Sequence, residues 1–311
     1  QFWQYGYQGL NLTIPHKVEV LPFLSSVDSD AEIMGAVNTL VRKEQGWHGC
    51  NTDGYGLEEG LREDLGVEIK GSTELRNSVE KMDRVRAKIA DHMVKSKDIS
   101  AHVYSTCEVD VTNIVNLRNR KKEAFLNKNK IKLTYTPIIV SACIKAIQEF
   151  PLMNASIDGT DIVHHQNVNV GVAVALPDNN LIVPVIKCAE EKNFLGLSRS
   201  VDSYAKKARS NLLEANDIFG STFTVTNPGI FGGLFGMPII NQPNVGILSV
   251  GSIEKRPVVK ETRYGDAVFV RHMLYLTLGY DHRLIDGAYG TKFLSRVKQI
   301  LEEYSQDEIV V

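Results

Sequence analysis

The sequence is short of the residues that build metal sites and disulfide frameworks. Its 311 residues hold four cysteines, Cys50, Cys107, Cys143 and Cys188, with no CxxC pair among them. Of its 8 histidines none has metal-ligand spacing to a second ligand type, so no metal is expected. Such cysteine usage fits reduced thiols in the cytoplasm. No apolar run reaches about 18 residues, which excludes a membrane-spanning helix. A charge excess is missing too. Lys+Arg number 35 against 37 Asp+Glu, a formal net charge of −2, which argues against nucleic acid and anionic membrane surfaces as partners. No signal peptide follows Gln1, which reads as the start of a fragment. Hydrophobic residues at 43% and charged residues at 23% suit a globular chain, and the length suits two domains.

The most informative stretch is Asp281-His282-Arg283-Leu284-Ile285-Asp286-Gly287. Residues 268–280 before it alternate like a strand. After it, Phe293, Leu294, Val297, Ile300, Leu301 and Tyr304 mark the apolar face of a helix. His282 therefore sits at a strand end, and Asp286 at the N-cap of the next helix. An ordinary strand-to-helix turn would use the same residues. A second stretch, Gly220-Ser221-Thr222-Phe223-Thr224-Val225-Thr226-Asn227-Pro228-Gly229, puts a strand ahead of an Asn-Pro-Gly turn. Helices are predicted at 84–97, 111–125, 136–150 and 197–213, and strands at 103–111, 167–176, 181–186, 222–226 and 245–250. The turn at 177–180 makes 167–176 and 181–186 a hairpin. The pattern is α+β, with long antiparallel strands and helices grouped between them.

Together the two stretches resemble the catalytic domain of the dihydrolipoamide acyltransferases of 2-oxo acid dehydrogenase complexes. More distantly, the HxxxDG spacing is similar to that of chloramphenicol acetyltransferase, and the resemblance runs over about residues 82–304. It implies a chloramphenicol-acetyltransferase-like mixed-sheet domain that moves an acyl group between dihydrolipoamide and coenzyme A. It implies His282 as the general base for the attacking thiol and Thr226 as the hydroxyl donor to the oxyanion. Asp286 would anchor the loop through an arginine, Arg86 or alternatively Arg84, and Asn227 and Gly229 would shape the turn beside the thiol channel. His102 matches a histidine at the start of the family's first strand, with a structural role. The family also implies homo-trimers with active sites between subunits, assembled into a larger core. Val168, Val170, Val172 and Val174 are an apolar face that would suit such an interface. Partners would be lipoyl domains and the other components of the complex, with the lipoyl group supplied in trans.

Residues 1–71 carry different motifs: Gly9-Leu10-Asn11-Leu12-Thr13-Ile14-Pro15-His16-Lys17, then Gly35-Ala36-Val37-Asn38-Thr39-Leu40, then Asn51-Thr52-Asp53-Gly54. In this order they resemble the substrate-binding domain of shikimate dehydrogenase, an incomplete α/β module here. That resemblance implies that Thr13, Asn38 and Asp53 grip a polyhydroxylated ring, and that Lys17 and Asp53 share proton transfer. A nucleotide-binding module should follow at about Gly66. Instead, Gly54-Tyr55-Gly56-Leu57-Glu58-Glu59-Gly60 has its third glycine one residue late and follows a polar turn rather than a buried strand. A shikimate-dehydrogenase-type oxidoreductase is therefore the alternative function, inactive as it stands. A non-enzymatic scaffold is a third reading, against which intact His282 and Thr226 argue. The expected boundaries are 1–71 for the partial module, 72–81 for a polar junction and 82–311 for the acyltransferase domain.

Overall fold

Two separate hydrophobic cores form, and they lie in two units, residues 1–80 and 81–311. The computed structural model describes residues 9–13, 16–53, 81–176, 180–305 and 309. The glycine-patterned stretch 54–60, most of the junction at 72–81 and the turn at 177–179 lie outside the described residues.

In the first unit, β1 (Gly9–Asn11), β2 (Ser26–Val27), β3 (Thr39–Lys43) and β4 (Gly46–Cys50) form a sheet in the order β1-β3-β4-β2. Helices α1 (His16–Glu19) and α2 (Ser29–Met34) complete it. Asp28 caps α2 by accepting from the Ala31 amide at 2.7 Å, and Gly35 ends it in the left-handed region at φ 59°. Its core is small, built on Ala31, Val37 and Leu40 with Leu10, Leu24 and Trp47 packed around them.

The second unit opens with α3 (Arg84–Ile99), β5 (His102–Asp110), α4 (Thr112–Asn129) and α5 (Thr136–Glu149). Pro137 lies in the first turn of α5, where a missing amide proton costs nothing. Then come β6 (Ala155–Asp158), β7 (Asp161–His164), β8 (Val170–Val172), β9 (Val174–Ala175), β10 (Leu181–Ile182) and β11 (Val185–Ile186). After α6 (Phe194–Arg209) and α7 (Ala215–Ile218) follow β12 (Phe223–Thr226), β13 (Gly246–Val250), β14 (Glu254–Thr262), β15 (Gly265–Asp281) and α8 (Gly287–Glu302). The main sheet runs β11-β8-β12-β13-β15. β13 and then β14 lie along one side of β15, and β5 lies along the other. Helices α5 and α8 bury one sheet face, with Phe293, Leu294 and Val297 packed against Leu248, Leu276 and Tyr280.

The sheet is mixed, as the resemblance implies, with β12 parallel to both β8 and β13. Other expectations change. The hairpin of 167–186 is broken into β9–β10 and β8–β11, both in one register. At the break Pro184 accepts from the Val172 amide at 2.9 Å but has no amide to return the bond, and the Ala173 amide donates to the Val225 carbonyl of β12 at 2.9 Å. Val168, Val170, Val172 and Val174 are 5%, 0%, 7% and 9% exposed inside a single chain, so they are core and not an intersubunit face. β14 was not expected at all.

One ion-pair cluster fixes the end of β5. Asp110 accepts from Arg271 Nε at 2.7 Å and from the Thr112 hydroxyl at 2.6 Å, with Lys260 at 3.4 Å. Burial works to raise its pKa, but these bonds outweigh burial and hold it at about 2, against an ordinary value of 3.8. A depressed carboxylate contributes stability that is complete above 3.8 and is lost as pH falls through about 2. Asp110→Asn should therefore lower the melting temperature at neutral pH, and the gap from wild type should narrow as pH drops from 5 towards 2. A gap that stays constant over that window in thermal scans would show that the Asp110 cluster is not the source.

Candidate active site

The turn after β15 is held by its backbone and leaves one ring free. The Asp281 amide donates to the Val245 carbonyl at 2.9 Å, and the His282 amide donates to the Ala101 carbonyl at 2.8 Å. The Asp281 carbonyl accepts from Leu284 and Ile285 at 3.1 and 2.9 Å, which closes the turn. The His282 imidazole is exposed and has no hydrogen-bond partner among the described residues. It leans on Tyr280, with ring centroids 6.1 Å apart at 33°. Tyr280 is itself 1% exposed beneath α8. A fixed backbone carrying an unengaged imidazole is what a general base needs.

Within one chain the carboxylate that anchors this turn is Asp281. Asp281 is 1% exposed, and its two oxygens accept from Arg283 Nε at 3.0 and 3.1 Å and from Nη2 at 2.7 Å. The Arg283 and Ala101 amides add bonds at 3.0 and 3.3 Å. Burial pushes the Asp281 pKa up, but the bonds from Arg283 and Ser100 outweigh burial, and the net position is below the ordinary value. Asp286 occupies the N-cap position of α8, yet its exposed side chain makes no capping bond. Nor does it pair with Arg86 or Arg84, which stand exposed on the first turn of α3 with no ion-pair partner among the described residues. The expected Asp286–Arg86 anchor is therefore not made within one chain.

His102 braces the other side of the turn. Its Nε2 accepts from the Ile240 amide at 3.0 Å, so its Nδ1 carries the proton donated to the Ser100 carbonyl at 2.9 Å. With both nitrogens committed, His102 is a fastener rather than a base. Gln242 donates to the hydroxyls of Ser100 and Ser96 at 2.7 and 3.2 Å, tying the loop before β13 to the end of α3.

Thr226 ends β12, half-buried, with no side-chain partner among the described residues. Asn227 follows in a non-helical conformation, and its side chain is likewise unengaged among the described residues. The turn from Pro228 to Phe231 lies so close to β13 that a Cβ at Gly229 would run into the Gly251–Ser252 peptide. Beyond it, Ile230, Phe231, Phe235 and Met237 are exposed apolar side chains around the Thr226 end of the sheet.

The register shows that one chain does not bring His282 and Thr226 together. Thr226 is level with Ser249, and Ser249 with Thr277, whereas His282 lies five residues past Thr277. Five residues of strand and two strand spacings put the side chains roughly 15–20 Å apart, at opposite ends of the sheet. The same register lines up Thr226, Ser249, Thr277 and Thr106 in a hydroxyl row on the face away from α8, with Thr277 and Thr106 bonded at 3.0 Å. Sequence reading missed this row and missed Asp281 with Arg283.

In the first unit, Lys17 Nζ donates to Asp53 at 3.0 Å, and Asn38 Nδ2 donates to its other oxygen at 2.7 Å. The Asp53 carboxyl is lowered by the bonds from Lys17 and Asn38. Thr13 is exposed nearby in sequence, and its described bond is through its carbonyl to the His16 amide. Among the described residues no group of three or more His, Cys, Asp or Glu could hold a metal ion, and no helix is long and apolar enough to cross a membrane.

Residues 74–307 match the family described as 2-oxoacid dehydrogenases acyltransferase (catalytic domain), and residues 1–40 match the shikimate dehydrogenase substrate binding domain. The chain is 39% identical over 229 residues to the dihydrolipoyllysine-residue succinyltransferase component of the 2-oxoglutarate dehydrogenase complex of Bacillus subtilis, covering 73% of this chain and 54% of that protein. It spans about half the length of the curated relatives it matches. Among solved structures, a probable dihydrolipoamide acetyltransferase of Listeria monocytogenes superposes with a TM-score of 0.72 at 39% identity, over 76% of this chain and 98% of that one. The Azotobacter vinelandii dihydrolipoamide acetyltransferase gives 0.69 at 31% identity, over 76% and 98%. In that protein a serine, a histidine and an asparagine four positions after the histidine have been investigated for their role in the catalytic mechanism.

Proposed function

Because the chain belongs to the 2-oxoacid dehydrogenase acyltransferase family by its catalytic domain, we propose that it transfers an acyl group between dihydrolipoamide and coenzyme A. The observation that carries this reading is the His282 turn, with its backbone pinned on both sides and its imidazole free. His282 and Asp286 also repeat the four-residue spacing of the histidine and asparagine in the Azotobacter protein.

Thioester exchange between two thiols is close to isoenergetic, so the chain has to supply rate. A thiol of pKa about 8.5 is only a few per cent thiolate near neutrality. His282 takes the thiol proton as sulfur attacks the thioester carbon, and Thr226 donates its hydroxyl proton to the oxygen that becomes negative. The intermediate collapses by expelling the other sulfur, which recovers the proton from His282. Asp286 shapes the loop, paired across the subunit boundary with Arg86 or Arg84, and Asn227 lines the turn beside the thiol channel.

The separation of His282 from Thr226 supports a site made of two chains. The Thr226 end of one copy meets the His282 end of the next, a head-to-tail contact that closes into a ring, here a trimer. Ile230, Phe231, Phe235 and Met237 supply apolar surface for that contact. Trimers then build the larger core, which receives lipoyl groups in trans from lipoyl domains and works beside the other components of the complex. Free thiols at Cys50, Cys107, Cys143 and Cys188 accord with the cytoplasm. Thr at position 226 favours succinyl or branched-chain over acetyl donors.

The test is the initial rate of acyl-dihydrolipoamide formation from acetyl-, succinyl- and isobutyryl-CoA. No turnover with any of the three overturns the reading. A chain of residues 81–311 alone should retain the wild-type rate, since it holds every residue named in the reaction. Loss of activity on removing 1–80, with assembly intact, would give the first unit a part in the chemistry.

A further inference from the structure

The structure assigns a role to two residues on either side of the proposed base: we propose that Asp281 and Arg283 are positioning residues that fix the orientation of the His282 ring for proton transfer. The inference rests on the acyl-transfer reading and deepens it.

The side chains of Asp281 and Arg283 meet at the start of the turn, while the His282 ring between them in sequence rests on Tyr280. The meeting is a two-pronged one. Arg283 Nε spans both Asp281 oxygens at 3.0 and 3.1 Å, and Nη2 reaches Oδ2 at 2.7 Å. The carboxylate is 1% exposed, whereas the guanidinium is 40% exposed and closes over it. Oδ1 also takes the Arg283 amide at 3.0 Å and the Ala101 amide at 3.3 Å. One carboxylate thus bonds the residue after His282 and the residue whose carbonyl holds the His282 amide. The His282 Cα is clamped from both flanks, and its ring is left to rest on Tyr280.

The clamp is tied into the fold at a second level. Ser100, beside Ala101, accepts from Gln242 at 2.7 Å, and its carbonyl takes the proton of His102. A buried carboxylate with this many donors exceeds what a turn needs to close, because the Asp281 carbonyl already closes it through Leu284 and Ile285. Beyond the guanidinium fork, the additional bonds go to the Arg283 amide, in the peptide that follows His282, and to the amide of Ala101, whose carbonyl holds the His282 amide. Lysine at 283 would keep the charge but cannot present a planar fork to both oxygens.

The experiment uses full-length chains carrying Asp281→Asn, Arg283→Lys or, as a matched control, Arg296→Gln. Arg296 makes a comparable fork to Glu149 on the outer face of α8, away from the turn. For each, kcat, KM for CoA and KM for dihydrolipoamide are measured with melting temperature and oligomer mass. Crystal structures report the His282 side-chain rotamer. Asp281→Asn and Arg283→Lys should each lower kcat by roughly tenfold to a hundredfold with both KM values unchanged, because a small misplacement of a reacting group costs rate rather than binding. Arg283→Lys should do so with its melting temperature and oligomer mass kept, and the His282 ring should occupy more than one rotamer. The control should keep wild-type kcat. Wild-type kcat in folded Arg283→Lys, with one unchanged His282 rotamer, overturns the proposal and leaves the pair a purely structural one. If the wild-type protein itself turns over no acyl-CoA, the acyl-transfer reading fails. The rotamers in the crystal structures then still decide whether Asp281 and Arg283 orient the ring.

Discussion

His282→Ala is expected to lower the rate of acyl transfer from acyl-CoA to dihydrolipoamide by roughly 10²–10⁴-fold, the contribution of a positioned general base. The imidazole is exposed and contributes no hydrogen bond to the fold among the described residues. The variant should therefore melt near wild type and keep its assembly and its affinity for CoA. Thr226→Ala should cost roughly 10²–10³-fold, the value of one oxyanion donor. The two losses should not add in the double variant, since base and donor act on one intermediate. Near-normal turnover in His282→Ala would show that the histidine merely ends a strand.

A mixture of the two inactive variants should regain activity that neither has alone. The register of β12, β13 and β15 puts Thr226 and His282 at opposite ends of one chain's sheet, and in the proposed site each is supplied by a different copy. When His282→Ala and Thr226→Ala chains are unfolded together and refolded at equal ratio, about a quarter of the head-to-tail contacts should unite an intact histidine with an intact threonine. Activity should rise to about that fraction of wild type, against about a hundredth or less for either variant refolded separately. Mixed oligomers that form by native mass spectrometry and remain inactive would place both residues of a site in the same chain.

Both stretches of the candidate site were legible because their signals are local. A strand that alternates up to Tyr280, a polar turn and an amphipathic helix put His282 at a strand end without knowledge of any neighbour. The same locality says nothing of Asp281. An Asp directly before a helix suggests a cap at Asp286, yet the Asp286 side chain caps nothing. Asp281 is bonded by Arg283, two residues on, and by Ala101, which is 180 residues away in sequence, and no periodicity encodes the second meeting. β14 was hidden for a different reason. Its nine residues, EKRPVVKET, carry five charges because the ribbon it forms with β15 extends beyond the core and has little apolar surface to bury. The parallel alignment of β8, β12 and β13 depends on crossovers through intervening chain, which strand patterns do not specify.

The place of β15 in the sheet also bears on how the protein is made. It is the strand against which β13, β14 and β5 all pair, and it is synthesised after every one of them. On the ribosome β5 (residues 102–110) emerges more than 160 residues ahead of β15, the strand that pairs along its length. Pairings across such long separations form slowly, and an edge left waiting is open to the wrong strand. The His282 turn, closed on Ala101, is then among the last parts of the fold to form. A nascent chain stalled before residue 265 lacks the His282 turn and leaves β5 without its β15 partner, an edge open to association with other strands.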